Sequence, residues 1–394
     1  MAYRYDNSVT VSDGPNLDAF GRLRVSNPHT LFESQQQFDS SPLQYGEKIT
    51  GTASSLHLPN ESSTLMTVGT NAGDKIVRQT REYFRYQPGK SLLVLMTGVL
   101  GAKKAGVRQR IGYFDDRDGI FWQQTNSGMS VVRRTSTSGS AVDNTIPQSS
   151  WNLDKLDGSG PSGVNLDPSK TQILIIDFEW LGVGRVRIGF VIDGLPVYCH
   201  SFLHANLLTE VYMKTANLPC RYELENTSTS ASSTSMKHIC STVISEGGYN
   251  EKGVVVSAGG DLATKTVSSY TPLLSIRLKA SHKTGKIVPI TFDILNTANS
   301  ILRYEVIARS SLTGASWSSV STATELDSSA TAVAGGIIIA SGFITDREVK
   351  SLSLDSTLAI CQDINGNTDI LTIAAENITS SGSVRTTLTW KEIF

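Results

Sequence analysis

Residues Arg110 to Gln124 read RIGYFDDRDGIFWQQ. Ile111, Tyr113, Ile120 and Trp122 alternate with smaller or polar neighbours on either side of Asp115-Asp116-Arg117-Asp118-Gly119. A period of two flanking a turn-forming cluster predicts a β-hairpin. The aspartates favour a tight turn by hydrogen-bonding nearby backbone, and Gly119 takes a positive φ without steric cost. A second hairpin is written farther along. GRVRIGFVI (184–192) alternates, turns at Asp193-Gly194 and resumes as LPVYCH (195–200), and Asp-Gly between alternating runs is a strong hairpin signal.

Working outward, short strands recur and helical periodicity is hard to find. Lys48–Leu58, Lys75–Arg85, Ser91–Leu100, Ser130–Thr135 and Gln172–Trp180 read as strands. Arg221–Leu224 and Met236–Ile244 read as a further pair across the Ser/Thr-rich loop Asn226–Ser235. Together they predict one large jelly-roll or lectin-like β-sandwich over residues 31–246. A Gly-rich polar stretch opens a linker, 247–270. Seven more strand-like runs, from Leu273–Leu278 to Arg385–Trp390, predict a smaller Ig-like β-sandwich over 271–394, with Asn365-Gly366 at its best turn. Residues 1–30 carry little apolar mass and read as an extended arm, with a first edge strand as the alternative. In that arm Phe20, Leu23 and Val25 are candidate assembly anchors, with Arg22 and Arg24 pointing the other way at a period of two.

The expected class is therefore all-β. The chain's 394 residues are too many for one ordinary core. Its 35 basic residues are matched by 36 acidic ones, so charge favours neither nucleic acid nor a membrane surface as partner. No apolar run approaches the ~18 residues of a membrane span, and the N-terminus lacks the basic start and apolar core of a signal peptide. Cys199, Cys220, Cys240 and Cys361 form no C-x-x-C pair, and a reducing compartment during synthesis is the simplest reading.

Several groupings are candidates for chemistry. Asp115, Asp116 and Asp118 offer clustered oxygens to calcium, but one short turn supplies too few ligands, and turn formation is the expected role. Asp363, Asn365, Asn367 and Asp369 alternate like an oxygen-ligand loop without the Gly and distant Glu of an EF-hand; a hairpin turn is again expected. Cys199, His200, His204 and Cys220 would have to converge on one point to hold zinc. His29, His57, His238 and His282 are scattered, and Glu179 beside Trp180 is the lone candidate for a glycosidase carboxylate. Tyr113, Trp122, Trp151, Trp180 and Tyr198 would form a sugar-stacking set if exposed, but aromatics of this size mostly fill cores. Lys103, Lys104, Arg108 and Arg110 make the one basic patch, read as solvated loop or protein contact. No catalytic residue, metal or cofactor is expected.

Four phrases add a resemblance. DAFGRLRVS (18–26), the GYFD…GIFW hairpin, PLLSIRLK (272–279) and LTWKEI (388–393) together resemble structural proteins of tailed bacteriophages. The likeness implies a virion component assembled in many copies in the host cytoplasm, without catalysis. Its partners would be itself, as a cyclic homo-oligomer, and other virion proteins on tail, baseplate, collar or capsid surface. The competing expectation is a carbohydrate-binding adsorption protein that recognises host surface glycans.

Overall fold

A chain of short strands with two-residue periodicity buries its apolar side by stacking sheets face to face. The computed structural model describes residues 27–354 and 359–394, and among them no α-helix occurs. The strands run β1 (His29–Gln35), β2 (Tyr45–Thr50), β3 (Ser54–Leu58), β4 (Ser63–Val68) and β5 (Lys75–Thr80). Next come β6 (Ser91–Val99), β7 (Val107–Phe114), β8 (Gly119–Thr125), β9 (Gly128–Thr135) and β10 (Val142–Pro147). The large sandwich ends with β11 (Gln172–Phe178), β12 (Val186–Ile192), β13 (Leu195–Phe202), β14 (Cys220–Asn226) and β15 (Thr234–Glu246).

These strands form two antiparallel sheets. One has the order β13-β12-β11-β6-β15-β4-β3 with β1 also on β15; the other is β10-β9-β8-β7-β14-β5-β2. The hairpin β7–β8 pairs Ile111 with Trp122 and Tyr113 with Ile120, which puts those four side chains into the core between the sheets. Phe114 and Phe121 point to the opposite face, as alternation requires. The second hairpin turns at Asp193 (φ 50°) and Gly194 (φ 83°), the pair of positive φ angles that its Asp-Gly supplies. Consecutive strands β4 and β5, β6 and β7, and β14 and β15 lie in opposite sheets. The chain thus wraps around its core in the manner of a jelly roll.

Two expectations are corrected. Arg221–Leu224 and Met236–Ile244 do not pair with each other. β14 inserts between β7 and β5, and β15 inserts between β6 and β4, on opposite sides of the core. Alternation shows that a segment is a strand but carries no information on its neighbour, and the twelve-residue spacing of those runs suited a hairpin as well as a crossover. The stretch expected as linker, 247–270, carries β16 (Val254–Ala258) and β17 (Lys265–Val267), both paired to the chain's last strand. Strand pairing also begins at His29, within the stretch read as arm. Phe20, Arg22, Leu23, Arg24 and Val25 lie outside the described residues.

The second sandwich continues with β18 (Thr271–Leu278), β19 (Lys286–Asn296), β20 (Leu302–Ala308), β21 (Ser311–Thr313) and β22 (Ser318–Ser319). It is completed by β23 (Thr324–Asp327), β24 (Ala332–Ala334), β25 (Ile337–Ile344), β26 (Val349–Ser353), β27 (Ile370–Asn377) and β28 (Gly382–Ile393). Its sheets are β16-β28-β19-β26, with β17 also on β28, and β22-β23-β18-β27-β20-β25. They enclose a separate apolar cluster around Phe292, Tyr304, Ile373 and Trp390.

One end of the large core is polar. Arg78, fully buried on β5, donates from Nε to His238 Nδ1 at 2.9 Å and from Nη2 to Gln36 Oε1 at 2.9 Å, and pairs with Glu47. His238 stacks on Tyr222, with ring centroids 4.0 Å apart. Burial, then the neighbouring Arg78 cation, hold the His238 imidazole well below its usual pKa near 6.5. A proton added at Nδ1 would face the Arg78 N–H that it now accepts. The depressed pKa therefore stabilises the fold fully above about pH 6.5, and that stabilisation is lost as pH falls below it, by at most about 1.4 kcal/mol per pH unit for this one proton. His200 and His204 are shifted the same way by burial and add to the slope. Denaturant melts between pH 7.5 and 5 should show stability falling with pH, with a shallower slope in His238→Gln; an unchanged slope in the variant would count against this role.

Candidate functional site

The turn aspartates are structural fasteners. Asp115 Oδ1 accepts the backbone N–H groups of Arg117 and Asp118 at 2.7 and 2.9 Å. Buried Asp118 reaches farther: Oδ1 accepts from the backbone of Ser136 (3.1 Å) and Lys214 (2.9 Å), and Oδ2 from the Ser136 hydroxyl at 2.7 Å. Asp116 is exposed and ion-paired to Arg221 at 2.8 Å. Asp118 is thus surrounded by donors, the opposite of what a cation needs. The second loop behaves alike, with Asp363 Oδ1 accepting from the backbone of Asn365 and Asn367 at 2.9 and 2.8 Å. Among the described residues no group of three or more His, Cys, Asp or Glu is placed to hold a metal ion.

The proposed zinc set is dispersed. Cys199 is the extra residue of a bulge in β13, with its thiol on the Ile188 carbonyl (3.3 Å), and Cys220 lies in the core from β14. His200 Nδ1 accepts from the Asn152 backbone at 3.3 Å, while His204 stacks on Tyr212 with centroids 4.0 Å apart. Burial pushes the Cys199 and Cys220 thiols up, away from the thiolate a metal binds. The aromatic set is mostly internal: Tyr113, Trp122 and Trp151 belong to the core. Trp180 is half-buried and donates to the Met213 carbonyl at 3.0 Å. Tyr198 also keeps a partly open ring, under the Arg187 guanidinium at 4.3 Å. Glu179 is exposed just beyond β11, and the nearby Asp177 is already paired with Arg187.

The basic patch divides. Lys104 Nζ ties down the Ser232–Thr234 loop through contacts of 2.8 to 3.1 Å. Arg108 and Arg110 join an ion network on the outer face of the seven-stranded sheet, which sequence reading missed. At its centre Glu223, 1% exposed, meets Arg221 at 2.7 Å, Arg110 at 3.0 Å and Lys75 at 3.4 Å. Burial raises the Glu223 carboxyl, but Arg221, Lys75 and Arg110 overcome it and leave the pKa at about 2. Phe114, Phe121 and Val132 form a small apolar cluster beneath. Arg110 and Arg134 cover the Phe121 ring at 5.1 and 5.3 Å, and Arg221 covers Phe114 at 5.2 Å. The signal in the sequence is the alternation Arg221-x-Glu223-x-Glu225, with Arg108-x-Arg110 far from it in the chain. Only the register makes them neighbours.

A cleft of about 870 Å³ lies between the two sandwiches. Leu31 and Phe32 of β1 and Leu43 line one side, and Ile337 and Ile339 of β25 line the other. Its floor is an ion cluster, Arg81 to Asp369 at 3.1 Å and Arg309 to Asp369 at 3.4 Å, with Arg309 also donating to the Leu43 carbonyl at 2.7 Å. Burial lifts the Asp369 carboxyl despite both arginines. A second bridge joins the sandwiches: Lys286 to Glu82, 2.7 Å. Arg81 and Lys286 were not nominated from sequence, and Asp369 was read only as part of an oxygen-ligand-like turn, since contacts between modules leave no local pattern.

No protein-family model matches the chain, and no curated protein does. Among solved structures, a glycoside hydrolase family protein from Mycobacterium thermorestibile is similar at TM-score 0.37 and 9% identity, over 54% of this chain and 99% of that one. Peanut lectin is similar at 0.33 and 10%, over 56% and 97%. A beta-1,3-glucanase from Mycobacterium marinum is similar at 0.34 and 10%, over 55% and 98%. Scores this low leave the chemistry of those proteins with those proteins.

Replacing Glu223 by Gln removes the buried anion that three cations share and leaves Arg221, Arg110 and Lys75 only their more exposed partners Asp116, Asp143 and Glu225. Chemical denaturation at pH 7 should show a loss of about 3–5 kcal/mol. The wild-type advantage persists above the usual carboxylate range and disappears as pH falls through about 2; a loss under 1 kcal/mol at pH 7 would show the network to be solvated. In contrast, calcium or EDTA should leave the melting temperature of the wild-type protein unchanged, whereas Asp118→Ala lowers stability by about 1–3 kcal/mol. A calcium-dependent melt would reverse the assignment of the turn.

Proposed function

We propose that the chain is a non-enzymatic structural component of a tailed-bacteriophage virion, assembling with itself and with other virion proteins. One observation carries the reading: the described charged groups of the interior fasten strands and modules, while unpaired strand edges are left open. β25 reads IIIASGFI, has no charge or proline, and pairs only with β20 among the described residues. Its Ile338 and Phe343 are 55% and 62% exposed. Natural proteins normally blunt such an edge with charge, proline or a cover, so an apolar one marks a place where another chain docks. β16, an edge of the other small sheet, likewise exposes Val254 and Val255.

The four phrases that resemble phage virion proteins are in keeping with this reading. Three of them fall on core strands: the β7–β8 hairpin, β18 and β28. The ion pairs at Asp369 and Lys286 suit a protein that must hold one shape in a lattice of copies. Host-glycan recognition, the competing reading, loses most of its aromatic platform to the core.

Light scattering of the purified full chain should give a closed oligomer. Removing residues 1–26 leaves every described strand in place, so the truncated protein should melt within about 2 °C of wild type. It should nevertheless fail to enter particles when co-expressed with the other virion proteins. Full incorporation of the truncated chain would overturn the arm's role, and binding to a host glycan array by a monomeric full chain would favour adsorption instead.

A further inference from the structure

The interdomain cleft is bordered by two strand edges. β1 pairs only with β15, and β25 only with β20, among the described residues. Leu31 and Phe32 of the first and Ile337 and Ile339 of the second face the same cavity. An extended segment laid there would find backbone groups at the β25 edge, the Glu33 and Gln35 carbonyls of β1 already accepting from Gln44 and Ser41, and apolar walls for alternate side chains. The mouth is acidic: Glu33 and Asp39 line the cleft and are exposed. Beside them Phe38 is 89% exposed.

The chain carries a segment of matching chemistry. Phe20, Leu23 and Val25 are apolar and Arg22 and Arg24 are basic. This segment joins the described fold at Asn27-Pro28, and Thr30, two residues on, already lines the cleft. A residue before proline is biased to extended backbone. At about 3.3 Å per extended residue, Val25 and Phe20 would stand roughly 13 and 30 Å from His29. That reach is long enough to span from one copy to the cleft of a neighbouring one.

Resting on the assembly reading above, we propose that residues 18–26 of one copy enter the interdomain cleft of a second copy as an added strand. Leu23 and Val25 pack between the two cleft walls, Leu31 and Leu43 on one side and Ile339 on the other. Arg22 and Arg24 meet Glu33 and Asp39. Each subunit thereby gives one arm and receives one, a head-to-tail contact that closes a ring when the rotation per subunit divides a full turn.

The test uses protein lacking residues 1–26 and a fluorescein-labelled peptide of residues 16–27, with binding read by anisotropy. The peptide should bind in the micromolar range, and a scrambled peptide should not. Leu43→Asp, at a half-exposed position whose only described bond is through its backbone, should weaken binding about tenfold or more. The double variant Glu33→Arg/Asp39→Arg should also weaken it. A peptide carrying Arg22→Glu and Arg24→Glu should recover affinity for that double variant, which a structural effect of the variant would not produce. No binding at about 1 mM peptide overturns the inference, as does binding indifferent to Leu43→Asp. Full-length Leu43→Asp should be monomeric in light scattering. A full chain that remains oligomeric while the peptide fails to bind sinks the cleft assignment and leaves the assembly reading standing. A monomeric wild-type full chain sinks both.

Discussion

Neither sheet of the large sandwich is complete until its last two strands are threaded into the middle. β14 fills the gap between β7 and β5, and β15 the gap between β6 and β4. Tyr222, at the centre of β14, sits fully buried with its hydroxyl within 3.1 Å of the Thr97 and Cys240 carbonyl oxygens and of the Ser241 hydroxyl. That single side chain ties one sheet to two strands of the other. Tyr113 of the opening hairpin fastens the segments after β5 and before β14, its hydroxyl donating toward the Phe84 and Ala216 carbonyls and accepting the Leu218 amide at 3.2 Å. Buried hydroxyls in these positions must be satisfied or cost free energy, so they select one register among the many that alternation alone allows.

The same constraint explains why the polar end of the core is tolerated. Arg78 cannot be buried without acceptors, and His238, Gln36 and Glu47 supply them from β15, the turn after β1, and β2. Those partners come from residues 36 to 238, so the network exists only when the whole sandwich is assembled. A fold built on such late, non-local contacts is slow to form and cooperative once formed. The β1 strand shares that lateness, because it has no partner until β15 arrives.

Much of this was legible in the sequence, and the boundary of legibility is physical. The hairpin at Arg110–Gln124 and the Asp193-Gly194 turn were readable because period and turn chemistry are local. PLLSIRLK and LTWKEI were readable as strands for the same reason, and their Leu274, Ile276, Leu388 and Trp390 are core residues. Sheet membership was not readable: nothing in Arg221–Leu224 says that its neighbours are residues 76–79 and 109–112. Asp118 was seen as a turn former, but its bonds to Ser136 and Lys214 join segments 18 and 96 positions away. Glu392 was missed altogether; it is buried in the small core with its carboxylate on the Trp390 indole and the hydroxyls of Ser321 and Thr324.

The distribution of charge separates what the protein keeps from what it offers. Interior carboxylates such as Asp118, Glu223, Asp327 and Glu392 are each saturated by donors, and the two interdomain bridges consume Asp369 and Glu82. A catalytic carboxylate needs the reverse, an open face and a pKa tuned toward the working pH. The groups left unsaturated among the described residues are of another kind: backbone edges on β16 and β25, apolar side chains on those edges, and exposed acids at one cleft mouth. Backbone edges recognise extended chain of almost any sequence, so the specificity must come from what surrounds them. In this molecule the surroundings are one apolar wall and a pair of carboxylates, which select an extended segment that alternates basic and apolar residues.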